Sequence, residues 1–254
     1  MTAALALSIA PEAAQSESLR EQVHVLESRP GVREVLLVTA RRAQARDARH
    51  ALIVLGGGGG GFAVTSHDGV PHVNGGLPLP QRQRLADAIG GSVVALSPPT
   101  DQPVMDRSWR LSDNHVVDLR AAVDWTRGQW PHAQTWVLGF SSGALSAAVA
   151  TASIDDLAGA VLLACVDEAL EQPQKSDRMR VLAVRHRSEC QAPHARLLEA
   201  ARRRTLVTVH DERQPRRESA GKAANAAQFG GKEHQVVDVV ARWILTGTAP
   251  DEIR

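Results

Sequence analysis

The residues of this 254-residue chain best suited to do chemistry lie in Trp136-Val137-Leu138-Gly139-Phe140-Ser141-Ser142-Gly143-Ala144, a G-x-S-x-G pattern centred on Ser141. An unassisted serine hydroxyl is a weak nucleophile, so it needs a base for its proton and a fixed geometry. A sharp turn from a strand into a helix supplies the geometry. Side chains at the two glycine positions would collide with the neighbouring strand and helix, and the turn lifts the hydroxyl clear of the sheet. It also puts the N–H of Ser142 at a helix N-terminus, where it can donate to an oxyanion. The pattern is short enough to arise by chance. Its specificity comes from context, an apolar run over Thr135–Leu138 before it and an alanine-rich stretch after it.

Six glycines, Gly56 to Gly61, follow a second apolar run, Ala51–Leu55. Without a Cβ the backbone can approach a substrate closely, so its N–H groups can serve as a second oxyanion donor. Gly58 is the expected donor, with Gly57 next. Gly56, Gly58 and Gly61 also fit G-x-G-x-x-G, but a dinucleotide site needs a helix to begin at once. Phe62 to Pro71 does not read as one.

The elements that must position these groups alternate. Val23–Glu27 and Val32–Thr39, joined by Arg29-Pro30-Gly31, read as an antiparallel hairpin. Apolar runs follow at Ala51–Leu55, Ser92–Leu96, Thr135–Leu138, Ala160–Leu163, Val181–Val184 and Thr205–Val209, as expected of parallel strands covered on both faces. Between them, Gln81–Ile89, Asp113–Trp125, Ser142–Ala152, Ala195–Arg203 and Gln235–Leu245 read as helices. Strands separated by helices imply right-handed crossovers and a doubly wound sheet.

With these residues in view, the chain from Gln22 onward resembles the α/β-hydrolase superfamily. More narrowly it looks like a group of poorly characterised, often exported bacterial serine hydrolases. The matching pieces are Gly56–Gly61, Ala95-Leu96-Ser97-Pro98-Pro99-Thr100-Asp101, Arg110-Leu111-Ser112-Asp113-Asn114-His115, the turn at Ser141, and His186 to Cys190. The resemblance implies an α/β-hydrolase fold: a mostly parallel eight-stranded sheet with helices on both faces. The chain departs from the group at Glu189, commonly Asp there, at Gln235, commonly Gly, and in having no cysteine between Arg213 and Gly231.

The chain order of that fold, serine then acid then histidine, points to a late histidine as base. His234 follows Gly230-Gly231 at a helix start and is favoured over His210, which ends the last strand. Glu189, after Val181–Val184, is the expected acid. Asp167 is the second choice, with Asp211 and Glu212 behind it. His115 and Asp113 sit at a helix start and read as structural, with Ser112 or Asp113 as N-cap. Only Val166 to Val181 separates the sixth and seventh strands, so no large cap domain is expected and the cleft should be open. Phe140, Met105 and Trp109, with the loops Val64–Leu79 and Thr100–Leu111, are candidates for the acyl or alcohol pocket.

The reading is a serine esterase acting on small-molecule esters, with no metal and no organic cofactor. An amidase, thioesterase or acyltransferase on the same scaffold, or a non-catalytic hydrolase-like binding protein, are the other readings. Net charge +1, three Phe and no Tyr argue against a nucleic-acid partner. The cluster Arg202, Arg203, Arg204 with Arg213, Arg216 and Arg217 reads as a solvated helix end and loop. Cys165 and Cys190 do not form a disulfide scaffold or metal site, although one bridge is compatible with their places at strand ends. No run reaches the ~18 apolar residues of a membrane span. Residues 1–21 read as a tail whose Ala3–Ala14 part resembles the end of a secretory signal peptide without its basic segment. Residues 22–254 read as one domain. The resemblance slightly favours a periplasmic or secreted location over a cytoplasmic one.

Overall fold

In a computed structural model the structure describes residues 19–41, 48–67, 70–74, 76–164, 169, 172, 179–187, 204–210 and 229–254. Strands β1 (Leu19–Arg29) and β2 (Val32–Arg41) form the expected hairpin, which begins ahead of Gln22. The parallel strands are β3 (His50–Leu55), β6 (Ser92–Leu96), β7 (Gln134–Phe140), β8 (Gly159–Leu163), β9 (Arg180–His186) and β10 (Arg204–Val209). A short β11 (Glu252–Ile253) joins them. Between β3 and β6 a separate hairpin is formed by β4 (Ala63–His67) and β5 (Val70–Asn74).

Among the described residues the main sheet has nine strands, in the order β1-β2-β6-β3-β7-β8-β9-β10-β11. The first eight are those read from the sequence. The ninth is the two-residue β11, which pairs with Thr208 and Val209 and is too short to leave a sequence pattern. Only β2 runs against its neighbours.

Five α-helices have described bounds, α1 (Arg82–Ala88), α2 (Arg107–Arg110), α3 (Asp113–Gln129), α4 (Gly143–Ser153) and α5 (Glu233–Thr246), and a 3-10 turn (Leu79–Gln81) leads into α1. Because side chains alternate along a strand, the sheet supports two cores. Ala51, Ile53 and Leu55 of β3 face α3 and α4, packing with Leu119, Val123, Ala144 and Ala148. Leu52 and Val54 face the other way, toward Leu85 of α1 and Val240 and Trp243 of α5. Apolar residues on both faces explain why these strands read as unbroken hydrophobic runs. Residues 164–179 are all that connect β8 and β9. Among the described residues no helix is long and apolar enough to cross a membrane.

Candidate active site

At the carboxyl end of β7 the chain reverses into α4 within Ser141 and Ser142. Ser141 has φ +53°, a left-handed conformation that costs a non-glycine residue about 1 kcal/mol or more. The turn is pinned from both sides. The Ser141 N–H donates to the Leu163 carbonyl of β8 at 2.8 Å, and its carbonyl accepts from Ala144 N at 2.8 Å. Both flanking glycines are required by contact. A Cβ on Gly139 would strike the Gly143 carbonyl, and one on Gly143 would strike the Leu55 carbonyl of β3.

The glycine run after β3 lies directly against this turn. A Cβ built on Gly57 would come within 2.8 Å of the Phe140 carbonyl oxygen and 2.9 Å of Ser141 Cβ. Gly58 takes φ +56° and Gly60 φ +84°, and Gly60 N–H closes a turn onto the Gly57 carbonyl at 2.9 Å. Among the described residues the N–H groups of Gly57, Gly58 and Ser142 have no acceptor. They are free to meet an anionic oxygen near Ser141.

Ser141 opens into a cleft of about 400 Å³, whose lining includes Gly58, Ser142, Met105, Leu145 and Ala169. Met105 is anchored through its N–H to the Gly59 carbonyl at 2.9 Å. Asp106, Arg107 and Arg110 complete the wall. Asp106 caps α2, accepting from Trp109 N at 2.8 Å and Ser108 Oγ at 2.7 Å, and these bonds hold its carboxyl below the usual range.

Two of the expected pocket residues point elsewhere. Phe140 is 3% exposed and packs beneath Gly57 and Gly76, in the core with Leu77 and Leu138. Strand alternation sends its side chain to the face opposite that of its neighbours. Trp109 lies under the Arg29 guanidinium, 5.4 Å from the ring centroid, and is not part of the cleft lining. Successive helix residues diverge by about 100°, so Arg110 turns inward beneath the glycine run while Trp109 faces the hairpin.

His234 lies in the first turn of α5 and is exposed. The far end of that helix is tied to the amino ends of the last two long strands. Trp243 Nε1 donates to Thr205 Oγ1 at 3.1 Å, and Arg180 donates to the Ile244 carbonyl at 3.2 Å. The first turn of α5 therefore lies toward the carboxyl edge of the sheet, as Ser141 does. Among the described residues His234 has no hydrogen-bond partner. His210 is engaged at the rim, 3.5 Å from Arg187 and 3.4 Å from Glu252. Glu189, Asp167, Asp211, Glu212, Cys165 and Cys190 lie outside the described residues.

Beneath the glycine run is a buried polar chain. Arg110 is fully buried and donates to the carbonyls of Gly58 at 2.8 Å and Gly56 at 3.2 Å, and to Ser146 Oγ at 2.6 Å. Ser146 Oγ is also 2.8 Å from His115 Nε2. Since Arg110 donates to Ser146, the serine hydrogen is left for His115, an assignment that makes the imidazole neutral. Burial, then the nearby Arg110 charge, pushes the His115 pKa down to about 4. His115 is thus a core residue, as its helix-start position suggests, with Ser112 Oγ capping α3 through His115 N at 3.2 Å. Among the described residues no group of His, Cys, Asp and Glu could hold a metal ion.

No protein-family model matches the chain, and no curated protein matches it. Solved structures do. A fungal esterase from Rhizomucor miehei aligns with TM-score 0.57 at 15% identity, over 93% of this chain and 85% of that one. A protein of Thermoplasma acidophilum described as a predicted CIB-like hydrolase aligns with TM-score 0.57 at 12% identity, over 89% and 99%. Dienelactone hydrolase from Anabaena variabilis aligns with TM-score 0.54 at 15% identity, over 89% and 97%. At such identities the likeness is one of fold: the chain has an α/β-hydrolase fold.

Proposed function

We propose that the protein is a serine hydrolase that cleaves carboxylic esters through an acyl-enzyme on Ser141. The observation that carries this reading is a serine in a left-handed turn, pressed against a glycine loop beside N–H groups without acceptors. Ser141 Oγ attacks the ester carbonyl carbon while His234 takes its proton, and Glu189 steadies the imidazolium. The amides of Ser142 and Gly58, with Gly57 next, receive the oxyanion. The alcohol leaves with the proton from His234. Water, deprotonated by His234, then attacks the acyl carbon and releases the acid and Ser141. Met105 and Leu145 give the cleft an apolar wall, and its size suits the acyl or alcohol part of a small ester.

The test is labelling of the folded protein with a fluorophosphonate, read by intact mass, beside hydrolysis of short ester, thioester and amide substrates. Wild type is expected to take one adduct and to turn over esters fastest. Ser141→Ala should take none and lose roughly 10⁴-fold or more in kcat. Glu189→Gln should lower turnover where Asp167→Asn does not. Folded wild-type protein that neither labels nor hydrolyses would leave a binding protein as the reading.

A further inference from the structure

A loop of six consecutive glycines has no side chain with which to hold itself. Each glycine samples more backbone conformations than any other residue, yet an oxyanion site works only if its donors are fixed before the reaction. In a trans peptide the C=O and the following N–H point in opposite directions, so whatever grips a carbonyl also aims an amide. Four successive carbonyls of this loop are gripped. Gly56 O and Gly58 O accept from Arg110 Nη2, Gly57 O accepts from Gly60 N, and Gly59 O accepts from Met105 N. The first grip turns Gly57 N–H away from the guanidinium, the second does the same for Gly59 N–H, and the turn directs Gly58 N–H out of the loop.

We infer that Arg110 is a positioning residue for the oxyanion loop, a buried guanidinium that bridges the Gly56 and Gly58 carbonyls, aims the Gly57 amide directly, and fixes from both sides the peptide that carries the Gly58 N–H. The inference rests on the serine-hydrolase reading and deepens it. Arg110 is held from behind by Ser146 Oγ on α4, the helix that begins at the serine turn, so loop and nucleophile share one anchor. Among the described residues no carboxylate pairs with Arg110. A buried cation without an ion pair is costly, and locally unfavourable features of this kind concentrate where function demands them. Burial lowers its pKa only to about 10, so it stays charged at neutral pH, behind the loop that meets the oxyanion.

The experiment compares wild type, Arg110→Met and Arg110→Lys in ester kcat, KM, fluorophosphonate labelling rate and thermal midpoint. Arg110→Met is expected to lose roughly 10²-fold in kcat and in labelling rate, with KM within about threefold, since misplaced donors weaken only the transition state. Arg110→Lys retains the charge but has no planar fork for two carbonyls and a hydroxyl. It should fold like wild type and recover part of the loss, to roughly tenfold below wild type. Full kcat in Arg110→Lys overturns the bridging role, even if Arg110→Met fails to fold. So does a loss in either variant that matches its unfolded fraction. Wild type that does not label refutes the serine-hydrolase reading instead, a separate outcome read before any variant is made.

Discussion

At Gly143 there is no room for one methyl group, because the carbonyls of Leu55 and Gly56 already occupy the space a Cβ would take. Both obstacles are backbone of the central sheet and its loop, which cannot rotate aside. Gly143→Ala is therefore expected to cost about 2–3 kcal/mol in urea unfolding and to displace the serine turn, lowering fluorophosphonate labelling with it. Gly128, near the end of α3, has nothing within 4 Å of its would-be Cβ. Gly128→Ala is the control and should gain about 0.5–1 kcal/mol from helix propensity alone. This contrast explains what was legible residue by residue. The serine turn could be read because its glycines and its nucleophile fall within five consecutive residues, Gly139 to Gly143, although what crowds Gly143 is the distant backbone of Leu55 and Gly56. Arg110 opens one of the segments that carry the family resemblance, but its role could not be read there, because it acts on carbonyls 54 and 52 positions away. Phe140 was misplaced because an aromatic beside a nucleophile reads as pocket wall, whereas the strand's alternation sends it into the core.

Among the elements, α3 and α4 meet through a polar pair inside an otherwise apolar layer, His115 against Ser146. Free histidine titrates near 6.5, but here the folded pKa is about 4. Between those values the unfolded chain binds a proton that the folded one does not, so stability present above pH 6.5 drains away as pH falls toward 4. The full effect is up to about 3 kcal/mol. His115→Gln should lack this slope. Its urea stability relative to wild type is expected to shift in its favour by about 2–3 kcal/mol between pH 7 and pH 4, and a pH-independent difference would show that His115 does not titrate there. The parallel strands were legible because burial on both faces makes them continuously apolar. The β4–β5 hairpin has a loop-like sequence, although His67 pairs with Val70 across Asp68-Gly69, a dipeptide that favours two-residue hairpin turns. That signal was present. It was masked by the weak β-forming residues around it, Ser66, Pro71 and His72.

Over the whole molecule the pH response is set by a second buried group as well, and the two act in opposite directions. Glu34 is 2% exposed on β2, and its Oε2 has no hydrogen-bond partner. Burial first, then the Asp118 charge, pushes its pKa up to about 8, against a pull from Arg29 and with the least push from Asp101. Arg29 cannot give more, because its guanidinium is already bound to Asp118 at 2.8 Å and to Asp101 at 2.9 Å. For a carboxyl raised in this way the folded state holds its proton longer than the unfolded one. Stability is therefore highest below the ordinary carboxylate range and falls as pH rises toward 8. From about pH 4.5 to 6.5 the Glu34 and His115 slopes cancel. Above 6.5 the His115 slope is spent while Glu34 still titrates, and Glu34 removes on the order of 2 kcal/mol by pH 8. Glu34→Gln is thus expected to raise the thermal midpoint at pH 8 by several degrees, roughly 2–4 °C per kcal/mol for a chain of this size, and to change it little at pH 4.5. Equal shifts at both pH values would mean that Glu34 is ionised in the folded protein throughout, and that the Arg29–Asp118 cluster tolerates a third carboxylate.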